Sequence, residues 1–227
     1  MVGLAQLQQE MFWEPVWISL KTAFVSSVIV FNLGILAAWG LTFRKFPGKI
    51  WIETFIMLPL VLPPTVVGFI LLMLLGRRSW VGRYLEELGS QPIVFSWGAT
   101  VIAAVVVAFP LVYQTAKSGF LSVEEDLPAS ARSMGASEFQ ILRHILLPLT
   151  VRSLRAAFIL GFARAIGEFG ATLMLAGNIP GRTQTLPTAI YVAVDSGNNQ
   201  MAWAWAGIIV VFSFLLMLFT GSGRKSR

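Results

Sequence analysis

Arg164 and Glu168 stand four residues apart inside AAFILGFARAIGEFGATLMLAG, an apolar stretch that follows Arg152 and Arg155 and runs to Gly177. On a helix that spacing places a guanidinium and a carboxylate on one face, where they can pair. At a rise of ~1.5 Å per residue, Arg164 lies roughly 14 Å and Glu168 roughly 20 Å along the axis from Arg155. Neither charge faces lipid cheaply at that depth, and charges within a span are functional candidates by default. The first reading is a mutual ion pair that faces the bundle interior and fixes the helix. The second is direct contact with a charged substrate; for an anion, Arg164 would attract it and Glu168 repel it. The other feature suited to a pathway is LPLVLPPTVVG at 58–68. Pro59, Pro63 and Pro64 each remove a backbone donor and kink a helix, and hydrocarbon offers the freed carbonyls no partner. Broken helix at membrane depth belongs where it is buried in protein or lines a watery path. The alternative is a packing kink with no transport role.

Spans must position these residues. The 227 residues are 56% hydrophobic and 12% charged, with mean hydropathy +0.74, the composition of a polytopic membrane protein. One all-α membrane domain over 1–227 is expected, with spans at about 15–42, 50–75, 96–114, 152–177 and 201–220. If the second span is straight, Pro63 lies roughly 20 Å from Ile50, beyond the middle of a ~30 Å hydrocarbon core. Residues 1–14, with Leu4, Leu7, Met11 and Phe12 on one side, read as a short external interfacial helix, and Pro15 opens the first span. They carry Glu10 and Glu14 but no Lys or Arg, unlike a cleavable signal peptide. Lys21 either snorkels to the outer interface or helps to attract an anion. In the fourth span Ala157, Gly161 and Ala165, and again Ala163, Gly167 and Ala171, recur at four-residue spacing, which lets helices approach closely inside a bundle. Residues 178–200 read as external, and their apolar run 186–194 is too short to span, so it reads as a lid or re-entrant piece.

The chain holds no cysteine and a single histidine, His144, so disulfides and cysteine or histidine metal clusters are excluded. No G-x-x-x-x-G-K-[ST] phosphate loop occurs; the tail GSGRKS lacks the adjacent Gly-Lys. No catalytic residues, metal site or cofactor are expected on this chain, which should not bind ATP by itself. The net charge of +6 reflects loop arginines and lysines rather than nucleic-acid binding.

Residues 122–148, SVEEDLPASARSMGASEFQILRHILLP, form the longest charged segment, the place to meet something soluble. Ser122 with Glu125 and Ser137 with Gln140 read as capping boxes that start two short helices. Gly135 between them supplies the positive φ of a helix end. The second helix would show a partly apolar face of Phe139, Leu142, Arg143 and Ile145, until Pro148 ends or redirects it. The plain alternative is a connecting loop with two capped helices.

Ala131, Gly135, Ile145, Leu147 and Pro148 fit the pattern E-A-A-x3-G-x9-I-x-L-P, and here the chain resembles the permeases of ABC importers. The resemblance implies a type I permease fold and a cytoplasmic coupling helix, with Ala129, Ser130, Ala131, Gly135, Ala136, Glu138, Ile145, Leu147 and Pro148 meeting a separate ATPase subunit. Ala129 replaces the pattern's glutamate and Ser130 its first alanine, leaving Glu125 and Glu138 as the acidic residues to take over that contact. If 122–148 is cytoplasmic, eleven of the 17 Lys and Arg fall inside and four outside, a positive-inside distribution. That places the N-terminus outside and the C-terminus, with Arg224, Lys225 and Arg227, in the cytoplasm.

The runs LPLVLPPTVVGF and ARAIGEFGATLMLAGNIPGRTQTLP look like the molybdate permeases of that family. Sulfate permeases share the Gly167–Gly170 core, whereas the Pro63-Pro64 pair and the run from Gly177 favour molybdate, with tungstate as a close mimic. The resemblance implies two copies of the chain around a pore in the plasma membrane, ATPase subunits and an external oxyanion-binding protein. It also implies a pathway at Pro63, Pro64, Thr65, Gly68, Arg164, Glu168 and Gly170, with Thr65, backbone amides near the prolines and Arg164 as oxyanion contacts. The alternatives are a sulfate or thiosulfate permease, a secondary transporter in which Glu168 relays protons, and a membrane scaffold that transports nothing.

Overall fold

The computed structural model describes residues 2–87 and 92–221, and every regular element among them is a helix. Helices α1 (Val2–Thr42), α5 (Trp97–Leu121) and α9 (Val151–Ile166) pack against one another as the core. Their shared faces are small or β-branched: Ala23, Val30 and Ala38 from α1, Ala104, Ala108 and Val112 from α5, Ala157, Gly161 and Ala165 from α9. Lipid tails supply no hydrophobic drive between helices, so association rests on close van der Waals approach, which small residues permit. A Cβ on Gly161 would stand 2.6 Å from Cγ2 of Val112. Thr22 and Thr100 share a hydroxyl hydrogen bond of 3.0 Å across α1 and α5, and the Trp97 indole N–H donates to Thr22 Oγ1 at 3.0 Å.

Among the described residues, three helices are long and apolar enough to cross a membrane: Met11–Thr42, Trp97–Leu121 and Asn199–Leu218. Two bent pairs raise the number to five if each counts as one span. The first joins α2 (Lys49–Val61) to α3 (Pro64–Leu75) at 117°, so the break expected at the prolines of the second span is a sharp one. Pro59 is accommodated inside α2; the chain turns at Leu62 and Pro63, both extended, and Pro64 opens α3, where its missing N–H costs nothing. The second pair joins Glu138–Leu149 to α9 at 80°.

Several boundaries differ from the sequence expectation. Pro15 opens no helix but lies within α1. Helix α5 continues to Leu121 because Ala116 and Phe120 are buried against the 122–148 segment, which carries Lys117 into the helix. The fourth span ends at Ile166, and α10 (Gly170–Ala176) starts after a break. Of the two small-residue stripes, Ala157, Gly161 and Ala165 share a buried face; in the other, Gly167 is exposed in that break, so no continuous stripe forms.

Helix α4 (Trp80–Glu87) folds back on the end of α3. The run at 186–194 is helix α11 (Leu186–Asp195), clamped between α1 and α12 (Asn199–Gly221) by Leu186, Ala189 and Ala193 against Val16, Ala202 and Trp205. Its Leu186 N–H donates to Ser19 Oγ at 2.7 Å. The terminal Arg224, Lys225 and Arg227 lie outside the described residues.

Candidate functional site

The two breaks meet. Gly68 on α3 is buried against α10, where a Cβ would stand 2.7 Å from Ala171 Cα and 2.8 Å from its carbonyl oxygen. At Gly170 a Cβ would lie 3.1 Å from both the amide nitrogen and Cγ2 of Thr65 and 3.2 Å from Pro64 Cβ. Bare backbone at both glycines therefore brings the Pro63-Pro64 turn onto the start of α10. Pro63, Pro64 and Thr65 keep an exposed side.

Arg164 Nη1 and Glu168 Oε2 are 2.7 Å apart. The pair forms across the end of α9 rather than along one helix face, because Gly167 closes α9 and Glu168 belongs to the break. Glu168 Oε1 accepts the Ala171 N–H at 2.8 Å, so one carboxylate holds the arginine and caps the first turn of α10. Glu168 is 3% exposed, whereas the Arg164 side chain is 29% exposed. Lys21 projects 4.1 Å over the Trp97 ring, a cation–π contact that steadies the charge at the α1–α5 seam.

Sequence reasoning passed over a second polar cluster. Glu53 on α2 accepts from Tyr113 Oη at 2.9 Å and from Lys117 Nζ at 2.6 Å, tying α2 to α5. The signal was available: Glu53 is the one carboxylate in the run 50–75, and Lys117 becomes its partner once α5 is extended.

The 122–148 segment is a packed element. Helix α6 (Asp126–Ser133) ends in a Schellman turn: Ala136 N–H donates to Ala131 O at 3.0 Å, Gly135 N–H to Arg132 O at 2.9 Å, and Gly135 has φ +87°. The Ser137–Gln140 capping box starts α7 (Glu138–Ile141). The expected Ser122 box is absent, since Ser122 closes α5 and its hydroxyl donates to Gly119 O at 2.7 Å. After α7 comes a π-helical turn, Leu142–Leu146, then α8 (Leu147–Leu149). With that wider turn the buried residues differ from the apolar face read in the sequence: Ile141, Leu142 and Leu146 enter the core beside Ala38, Tyr113, Phe120 and Leu154, while Phe139 is 62% exposed. Ala131, Ala136, Ile145 and Leu147 pack at the edge of that core; Ala129, Ser130, Gly135, Glu138 and Pro148 are exposed. Pro148 sits in the first turn of α8, and the 80° redirection comes at Thr150, whose hydroxyl donates to Leu146 O at 2.6 Å.

Glu138 and Arg132 lock the two short helices together, with Arg132 Nε donating to Oε1 at 2.6 Å and Nη2 to Oε2 at 3.1 Å. The hydrogen bonds and charge of Arg132, with Arg44 nearby, hold the Glu138 carboxyl below its usual range, and Glu138 pushes the arginine up.

Two broken spans that meet beside a partly buried ion pair, joined to a loop packed into the helical core, fit a transport subunit of the multi-pass membrane class. The chain belongs to the family described as the inner membrane component of binding-protein-dependent transport systems, whose pattern matches residues 31–222. It is 54% identical to the "Putative molybdenum transport system permease protein YvgM" of Bacillus subtilis strain 168, over 92% of each chain. It is 36% identical to the molybdenum transport system permease protein ModB of Escherichia coli K12, over 91% of this chain and 90% of that one. The sulfate transport system permease protein CysT of a Synechocystis strain is 30% identical over 96% of this chain and 79% of that one. Among solved structures, the fold matches a chain of the MetNI methionine ABC transporter with TM-score 0.72 over 95% of each chain, and one of a bacterial alginate ABC importer with TM-score 0.74 over 99% and 83%. Identity to both is 18%, so they speak for the type I ABC importer permease fold alone.

Proposed function

We propose that the chain is the membrane-spanning subunit of an ATP-driven importer that moves molybdate, with tungstate as a close mimic, inward across the plasma membrane. The observation that carries this reading is the order of similarity among relatives: 54% identity to the molybdenum-named permease of Bacillus subtilis against 30% to the sulfate-named one. The converging breaks supply a physical route. Thr65 and the exposed part of Arg164 offer a hydroxyl and a guanidinium to a tetrahedral oxyanion, and Glu168 offsets the arginine's charge so that the anion is released rather than trapped.

The rest of the reading concerns assembly. ATP and magnesium belong to a partner ATPase, and this chain performs no catalysis. The exposed Ala129, Ser130, Gly135, Glu138 and Phe139 meet that ATPase, and Ile141, Leu142 and Leu146 pass its movement into α1, α5 and α9. Two copies enclose the path, the N-terminus lies outside, and an external binding protein delivers the oxyanion.

The test is uptake of labelled molybdate by cells with and without the chain, in the presence of the ATPase and binding protein, challenged by excess tungstate or excess sulfate. Chain-dependent uptake that yields to tungstate and not to sulfate is expected. Equal competition by sulfate would refute the molybdate assignment, and uptake indifferent to the chain would refute transport. A Thr65→Val variant with undiminished uptake would remove that hydroxyl from the path.

A further inference from the structure

Beside the end of α1 lies an open groove of about 610 Å³, lined by Ala37, Gly40, Leu41, Arg44, Lys45 and Phe46. Its wall is apolar and its rim is charged. Leu33, Leu36, Ala37, Gly40 and Leu41 recur at three- and four-residue spacing along one face of α1, and Arg44 continues that spacing just past the helix end at Thr42. Leu33 and Leu36 are about half exposed. A Cβ on Gly40 would meet no atom within 4 Å, so the face is open where it is smallest. From Leu33 to Arg44 it runs roughly 16 Å at ~1.5 Å per residue, close to half of a ~30 Å hydrocarbon core.

The turn that follows α1 holds the cations at that rim. Gly48, at φ +92°, reverses the chain, and the Lys49 N–H donates to Phe46 O at 3.4 Å. Lys49 Nζ donates to the Thr42 and Arg44 carbonyls at 3.2 Å each, so its charge closes the end of α1. Arg44 and Lys45 are exposed and, among the described residues, enter no salt bridge. Glu125, Asp126 and Glu138 line a separate cavity that the same two residues border, and Arg132 Nε already holds Glu138 there at 2.6 Å. The groove itself is lined by no carboxylate. Phe46 and Trp51, on either side of Gly48, are 37% and 78% exposed, and aromatic rings favour the level of the lipid headgroups.

We propose that this groove binds one anionic phospholipid, its phosphate held by Arg44 and Lys45 and an acyl chain laid along Gly40, Ala37, Leu36 and Leu33. An arginine fork and a lysine point charge both suit a phosphate. Each basic residue at a membrane surface adds to the attraction for a headgroup of net negative charge, whereas a zwitterionic lipid brings the same phosphate with a cation that the two rim charges repel. The apolar stripe below the rim, as long as one leaflet is deep, distinguishes a lipid from a free phosphate. The site requires only that α1 crosses the membrane, and it stands whichever cargo is carried.

Native mass spectrometry of the protein, purified in detergent as it assembles in cells, tests the site by counting bound dioleoylphosphatidylglycerol against dioleoylphosphatidylcholine. Arg44→Gln and Lys45→Gln are each expected to weaken phosphatidylglycerol binding about fivefold, and the exchange Arg44→Lys with Lys45→Arg to preserve it. Gly40→Leu keeps both charges and fills the groove, so it should lower retention of the lipid several-fold while leaving the helix intact. Arg152→Gln with Arg155→Gln removes two exposed cations from the start of α9 and should leave the preference unchanged. An equal loss in that control reduces the effect to general surface charge and overturns the site. Wild-type phosphatidylglycerol binding by a folded double variant, Arg44→Gln with Lys45→Gln, overturns it as well, and if that variant also sheds a protein subunit the two cations belong to a protein neighbour. Displacement of the lipid by an equal concentration of glycerol 3-phosphate refutes the part assigned to the apolar stripe and with it the lipid assignment.

Discussion

Glu168 is one carboxylate with two obligations, an ion pair to Arg164 at 2.7 Å and a cap on the Ala171 N–H at 2.8 Å. Separating them is a matter of charge against shape. Glu168→Gln keeps an acceptor for Ala171 while stranding the arginine; Glu168→Ala strands both. Breaking a buried pair from one side costs about 3 kcal/mol, and lost capping adds about 1 kcal/mol. Thermal unfolding of the detergent-purified protein should therefore rank wild type above Glu168→Gln above Glu168→Ala, and a reversed order of the two variants would show that the cap does not matter. Gly68 makes a second residue-scale demand, because an alanine there must push its Cβ into backbone atoms of Ala171 rather than into a movable side chain. Gly68→Ala is expected to cost about 1–3 kcal/mol by overpacking and to lower uptake by separating α3 from α10. Normal unfolding and normal uptake together would place the two helices farther apart than described.

The 122–148 segment is where behaviour belongs to an element. Gly135 has φ +87° and open space around its missing Cβ, so Gly135→Ala pays only for backbone conformation. That penalty is about 1 kcal/mol and should read as roughly fivefold weaker binding of the ATPase, unless the turn is already remade on docking. The Arg132–Glu138 lock adds a pH dependence of defined sign. Because Arg132 holds the Glu138 pKa below its ordinary 4.5, the lock's contribution is complete above that value and is lost only as pH falls through the lowered one. Protection of 126–142 against hydrogen exchange, relative to Glu138→Gln, should then be constant from neutral pH to about 5 and vanish below the ordinary carboxylate range. Both side chains are substantially exposed, so salt should weaken the lock as well.

For the whole molecule, the absence of cysteine makes orientation directly measurable. Single cysteines at Arg182 and Ser133 are expected to label oppositely with a membrane-impermeant maleimide in intact cells, the first reacting and the second only after permeabilisation. Labelling of both from one side would invert the assignment of one loop. The same layout explains why the exposed apolar residues of α2 and α12, such as Trp51, Phe55, Trp203 and Phe214, are no defect: lipid or a neighbouring subunit replaces water around them.

The sequence alone determined the membrane class, the small-residue face of α9 at Ala157, Gly161 and Ala165, the Gly135 turn, the Ser137 cap and the Arg164–Glu168 pairing. Each is a local matter, set by composition, by spacing within a few residues or by one backbone angle. Tertiary structure decided how sharply the second span breaks, where α5 ends, and that Glu168 lies beyond its helix. It also brought Pro64 and Thr65 onto Gly170 and Glu53 onto Lys117. Those pairs are separated by sixty residues or more, and only tertiary packing, of α3 against α10 and of α2 against α5 among others, brings them within reach. The buried face of 138–149 was hidden for a related reason: its π-helical turn departs from the 3.6-residue period, so the apolar face read from periodicity grouped Phe139, which is exposed, with Leu142 and left out the buried Ile141 and Leu146.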